Sequence, residues 1–446
     1  MDNDEALEAT IDDKHYMSQV TDMGETREVV ASEHIETQDG MRLVSAGTRI
    51  DNSMLDRLVQ HRLLKPIDTS LNTERAVTVS EVVGTAKRMI GAEPCLEKLL
   101  DGIAIAGLAL RVLAGITLVP ALSFKLTVCR EKAPEKLDHM IRVALSSLVL
   151  GSRLRMSNNQ LIDLATAGLF HDLGEMHVDP VFFDDPRSLT RDEWRQIYAH
   201  SIVAFLILKE FPIYHPVVST AVLHHHELWD GSGYPKGLSG EAISEMGRIL
   251  GITELLVVML QRSGEQPDPD RMIEMLKLNG NRYGRQMLEP FIEIIGESRC
   301  GVGRAKEADT QVYSDVSLLK SRLATLVNLL VEVPEGPETA ENGALAFIRQ
   351  QLAQVAQIAG RAGINQVIDV DIIDLMAEDA LGLNQMEFLA KELDYQLRTI
   401  ANQVRRRWPN LEKDESAAIW LEKMEKLVIP DSTAMPPGDA PHDSSS

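Results

Sequence analysis

Three consecutive histidines, His224, His225 and His226, stand just ahead of a glycine-rich turn in "LHHHELWDGSGYP", residues 223–235. The chain holds only 12 histidines, and eight of them fall between His139 and His226, so this is where chemistry is concentrated. Adjacent imidazoles are costly to bury unless something binds them, and neutral imidazole is a common metal ligand. The zinc-protease pattern H-E-x-x-H is excluded, because Asp230 stands where its second histidine would be. A metal bound here must draw its other ligands from elsewhere in the chain.

Three further stretches offer them. In "EKLDHMIRV", Glu135 and His139 are spaced i, i+4 and share a face of a predicted helix. In "ATAGLFHDLGEM", an apolar helix delivers His171 and Asp172 near its end, and Gly174 follows as a C-terminal stop. His200 lies in "IYAHSIVAF". An aspartate behind an apolar run needs a charge partner, which a divalent ion provides. Imidazole and carboxylate together suit iron, manganese or zinc, whereas calcium takes oxygen ligands.

The elements that must position these residues are mainly α-helical. Leu145, Leu148 and Leu150, then Leu161, Leu164 and Leu169, recur at helical spacing in the main body, residues 76–300. Residues 31–75 have short apolar runs broken by "DG" and "AG" turns, which predicts a small β-rich module; residues 76–130 then read as a helical connector. Residues 1–30 and 431–446 are polar and are expected to be disordered. Beyond 301 a helical region carries two stripes, Leu319, Leu323, Leu326 and Leu330, then Leu389, Leu393, Leu397, Ile400 and Val404. They would pack a core of their own, or serve a homodimer or a signalling partner protein.

Composition removes some functions. With 45 basic against 67 acidic residues the net charge is −22, which argues against binding a nucleic-acid polymer or an anionic membrane surface. Cys95, Cys129 and Cys300 are few and far apart, which predicts a reducing compartment and no disulfide framework. The acidic start lacks the features of a signal peptide, so a cytoplasmic location is expected. The apolar stretch "GIAIAGLALRVLAGITLVPAL", residues 102–122, has Arg111 at its centre and Pro120 near its end, and is read as a buried helix rather than a membrane span.

"HDLGE" and "HHELWDGSGYPKGL", in this order and spacing over roughly residues 130–300, resemble the HD-GYP phosphodiesterases, a group of HD phosphohydrolases that degrade the bacterial messenger cyclic di-GMP. The resemblance implies an all-helical HD-type domain over residues 131–300, flanked by the β-rich module and by the C-terminal helical region at 301–430. It implies that His139, His171, Asp172 and Glu254 surround one metal, and that Asp172 bridges to a second held by His200, His225 and His226. Glu135 matches a glutamate used for a third ion, giving two or three divalent ions, iron or manganese. His171 and Asp172 would carry catalysis, and Gly231, Gly233, Tyr234, Pro235 and Lys236 would form the loop beside the substrate. His224, His177 and His215 are read as structural, and Glu227 or Asp230 as groups that could orient the imidazoles.

The pattern departs from the family at several points. Glu254 replaces an aspartate ligand, and its extra methylene moves the carboxylate by roughly 1.5 Å. Val257 replaces a second aspartate, and the basic sequence that should follow is absent from "QRSGEQPDPD". Glu175 and Asp185 each stand where a lysine is expected, the first contacting substrate phosphate. One such charge opposite a phosphate at about 4 Å is worth on the order of 4 kcal/mol at an effective dielectric of 20. Three functions remain in view: a metal-dependent cyclic di-GMP phosphodiesterase, a weak or inactive signalling module that binds metal or nucleotide, and a hydrolase of another phosphoester.

Overall fold

The computed structural model describes residues 14–101, 105–184, 190–262, 269–298, 343–361, 393–408 without 395 and 406, and 418–422. Leu319–Leu330, Leu389 and Asp185 lie outside the described residues. The chain divides into two compact units, one running to Val302 and one over Gly303–Pro436.

Helix α1 (Lys14–Thr26) opens the first unit and differs from the expectation of disorder up to residue 30. Its acidic, polar composition hid an apolar stripe: Tyr16, Met17, Val20 and Met23 are fully buried. Each such side chain contributes on the order of 1.5–3 kcal/mol when taken out of water. Four short strands follow, β1 (Val29–Ala31), β2 (Ile35–Glu36), β3 (Arg42–Val44) and β4 (Leu71–Thr73). β1 pairs antiparallel with β4, Val30 opposite Asn72, and β2 pairs antiparallel with β3, Ile35 opposite Val44.

The rest of the first unit is helical. α2 (Val79–Ala92), α3 (Pro94–Asp101) and α4 (Ala106–Ala114) lead to α5 (Pro120–Lys132). The apolar stretch 102–122 is therefore not one helix. It breaks after Gly115, and Pro120 starts α5 at the first helical turn, where its missing N–H costs nothing. Arg111 sits on the exposed face of α4, and no helix among the described residues is long and apolar enough to cross a membrane. Cys95 is disulfide-bonded, against the expectation of reduced thiols, since distance along the chain does not set distance in space. Cys129 is free and buried, and burial pushes its thiol pKa up to about 12.

Helix α6 (Pro134–Arg153) packs along α7 (Asn158–Phe170), which begins with a capping box between Ser157 and Gln160. After a 3-10 turn (Leu173–His177) come α8 (Arg191–Tyr198), α9 (His200–Lys209), α10 (Pro216–His224) and α11 (Glu245–Arg262). α9 packs on α10, α10 on α7 and α11, and α11 on α6, closing a bundle around its apolar faces. α12 (Pro269–Leu278) and α13 (Arg285–Ser298) finish the unit.

In the second unit, α14 (Gly343–Arg361) buries Phe347, Ile348, Leu352 and Val355. Leu393, Leu397, Ile400 and Val404 are buried as well, and Trp408 packs on Phe347 with ring centroids 5.4 Å apart. The second predicted stripe thus packs as core where it is described.

Candidate metal centre

The bundle brings seven of the predicted residues to one point. His139 sits in the second turn of α6 and Glu254 in the middle of α11. His171 and Asp172 follow the last turn of α7, His200 is the first residue of α9, and His225 and His226 follow α10. Four of the seven thus sit just past a helix C-terminus, where side chains can turn inward without breaking the hydrogen-bond ladder.

Backbone approach fixes part of this placement. A Cβ at Gly174 would lie 1.9 Å from the carbonyl oxygen of His200, so only glycine lets the turn after Asp172 touch the start of α9. Gly174→Ala is expected to destabilise the fold by about 1–3 kcal/mol or more through this overlap, measured by urea unfolding. An unchanged unfolding midpoint would show that the turn and α9 are not held this closely.

Two groups of ligand atoms share Asp172. His139, His171, Asp172 and Glu254 place their donor atoms within 4.8 Å of one another, and so do Asp172, His200, His225 and His226. Asp172 Oδ2 is 2.8 Å from His171 Nε2 and 3.7 Å from His139 Nε2. Its Oδ1 is 3.5 Å from both His200 Nε2 and His225 Nε2. The carboxylate therefore turns one oxygen to each group. Glu254 reaches fully into the first, with Oε1 2.9 Å from His139 Nε2 and Oε2 3.2 Å from His171 Nε2, so its extra methylene is accommodated.

The imidazoles are oriented by their own helices. His171, His200 and His225 donate from Nδ1 to the carbonyls of Gly168, Ile197 and Val222 at 2.8, 2.7 and 2.5 Å. This orients each ring and aims each Nε2 inward. His200 Nε2 then faces His225 Nε2 at 3.4 Å and His226 Nε2 at 3.1 Å. Facing lone pairs repel unless a proton or a metal ion lies between them. Burial disfavours the proton: it holds His200 below its ordinary pKa and, with the neighbouring His225 and His200, holds His226 well below it. Buried His171 Nε2 also makes no aligned hydrogen bond, close as Asp172 is. These donor sets fit divalent cations.

On the carboxylate side, burial alone would raise the pKa values of Asp172 and Glu254. His171 and His225 nevertheless hold Asp172 well below the ordinary range, and His139 and His171 do the same for Glu254. In His171, burial works against the proton, and the two carboxylates overcome it to raise the pKa. Both acids are thus kept in the ionised form that ligation needs.

Other predicted residues take different places. Glu135 lies one turn before His139 on α6, outside both groups. Glu227 accepts the backbone N–H of Lys236 at 2.7 Å and of Leu238 at 2.8 Å, so it folds the loop, while helix carbonyls orient the imidazoles. Asp230 caps the same loop, accepting from the N–H of Ser232. Gly231 has φ +79°, and a Cβ at Gly233 would lie 2.3 Å from the nitrogen of Leu228. Tyr234, followed by a cis bond to Pro235, stacks on His226 at 4.6 Å. His224 accepts from Ser244 N–H, and burial lowers its pKa to about 4. His215 accepts from Val217 N–H as the N-cap of α10, and His177 lies 3.3 Å from Lys125 Nζ.

Glu175 is buried and paired with Lys136 at 2.6 Å, a partner that sequence reasoning missed. The signal was there, since Lys136 precedes His139 by three residues and must share its face of α6.

Comparison with known proteins agrees with this geometry. Residues 127–287 match the family described as HD domain. A 3'3'-cGAMP-specific phosphodiesterase of Vibrio cholerae is 33% identical over 136 residues, 30% of this chain and 29% of the relative. A cyclic di-GMP phosphodiesterase of Thermotoga maritima is 29% identical over 177 residues, 39% of this chain and 48% of the relative. The chain thus spans less than half the length of these curated relatives. A HDG"Y"P protein from Bdellovibrio bacteriovorus aligns with 60% of this chain and 94% of its own at 13% identity and a TM-score of 0.33. The segment 127–287, which carries the His171–Asp172 turn and the Gly231–Pro235 loop, thus matches the HD domain family.

Proposed function

We propose that the protein is a metal-dependent phosphodiesterase that hydrolyses cyclic di-GMP or a closely related cyclic dinucleotide in bacterial signalling. The observation that carries this reading is Asp172, with one oxygen turned to each of two ligand sets. His139, His171, Asp172 and Glu254 would hold one ion, and Asp172, His200, His225 and His226 a second, iron or manganese by donor type. Such a pair supplies charge stabilisation to the attacking and leaving oxygens of an in-line displacement at phosphorus. The protein's own part is positioning. Helix carbonyls fix the imidazoles, Asp172 sets the separation of the two sites, and the loop folded by Glu227 brings Tyr234 against His226 at the edge of the centre. The relatives' printed activities, on cyclic di-GMP and on 3'3'-cGAMP, support a cyclic dinucleotide as the substrate class.

A second reading, a weak or inactive signalling module, draws on Glu175, which puts an anion three residues past Asp172. One experiment separates the two. Protein purified without oxygen and supplied with manganese or iron is incubated with cyclic di-GMP, 3'3'-cGAMP and a linear dinucleotide. Linearisation of a cyclic substrate is expected. Metal-loaded protein that cleaves none of the panel would overturn the enzymatic reading in favour of the signalling module.

A further inference from the structure

The ion pair beside the metal centre has an uneven distribution of contacts. Lys136 Nζ carries three N–H donors. Glu175 takes one at 2.6 Å, and the ring of Phe183 lies under the ammonium at 3.9 Å. Phe183 belongs to a small cluster with Val178 and Ile197, and the carbonyl of Ile197 is the one that orients His200. Lys136 precedes His139 by three residues, and Glu175 follows Asp172 by three. The pair is therefore wedged among the supports of His139, Asp172 and His200.

A half-buried ammonium whose ion pair uses one of its three donors, next to a centre suited to phosphodiesters, is equipped to bind a phosphate oxygen.

We propose that Lys136 binds a non-bridging phosphate oxygen of the substrate, and that the Glu175 carboxylate partly neutralises the ammonium that does so. This inference rests on the phosphodiester reading above. It assigns different roles to the two partners of one ion pair, which a purely structural pair would not have.

The test uses inorganic phosphate as the probe, titrated calorimetrically into the manganese-loaded full chain. Three proteins are compared: the parent, Glu175→Gln, and the double variant Lys136→Gln with Glu175→Gln. The double variant replaces the ion pair with a neutral, hydrogen-bonding one, so that neither substitution strands an unpaired charge. It is expected to bind phosphate about tenfold or more weakly, with bound manganese unchanged, and to show raised KM for cyclic di-GMP with little change in kcat. Glu175→Gln removes the neutralising carboxylate and is expected to bind phosphate at least as well as the parent. Parent-like phosphate binding by the double variant would overturn the proposal, and so would equal weakening in both variants. A parent that binds phosphate through Lys136 but cleaves no cyclic dinucleotide would sink the substrate assignment alone.

Discussion

Replacing Asp172 by alanine is expected to abolish turnover and to strip both metal sites together. Every other residue in the two ligand sets serves one group, whereas Asp172 serves both, with Oδ2 2.8 Å from His171 Nε2 and Oδ1 3.5 Å from His200 and His225. Its loss removes the one carboxylate of the second group, leaving three imidazoles whose Nε2 atoms crowd each other at 3.1–3.4 Å. Metal-ion catalysis is worth several kcal/mol of transition-state stabilisation, and each 1.36 kcal/mol is tenfold in rate, so a fall of about a thousandfold or more should follow. His226→Ala should by contrast deplete one site while the other retains metal. Elemental analysis of the two variants beside turnover decides the matter. Asp172→Ala protein that keeps one full equivalent of metal would show that the two groups are independent sites.

The grouping of the candidate ligands was legible because it involves uncommon residues in dense order. His171 next to Asp172 after an apolar run, and His225 next to His226 before a glycine turn, restrict what the chain can do there. What orients these rings was not legible. The i−3 carbonyls of Gly168, Ile197 and Val222 belong to residues with no chemical signal, and they act only because three helices end or begin at that point. Glu175 illustrates the same limit. In the sequence it is an anion where a phosphate ligand is expected, and its meaning changes once α6 brings Lys136 to it across 39 residues. Composition misled at α1, where acidic residues concealed a buried stripe, and at residues 102–122, where a continuous apolar run concealed a helix break.

Breaking the buried ion pair beneath the His171–Asp172 turn should be strongly destabilising. Lys125 and Asp68 are both buried, with Nζ 2.9 Å from Oδ2. Tyr16 donates its hydroxyl to the same carboxylate, Lys125 lies over the Tyr16 ring at 3.4 Å, and His177 is 3.3 Å from Nζ and stacked on Tyr16. This polar network joins α1, the β-rich module and α5 to the 3-10 turn that follows Asp172, and Gln19 adds a hydrogen bond to the carbonyl of Met176. Lys125→Met leaves a buried carboxylate without its cation, which costs about 3–5 kcal/mol, or on the order of 10 °C in Tm for a unit of this size. Adding Asp68→Asn to Lys125→Met removes the stranded charge and should recover much of that loss. The comparison reads function as well as stability: because the network ends on the turn carrying His171 and Asp172, Lys125→Met should lower metal affinity at temperatures where the fold survives, and the double variant should restore it in part. Equal stability in the single and double variants would mean that the carboxylate finds other partners when Lys125 is gone, and that the network does not hold the turn.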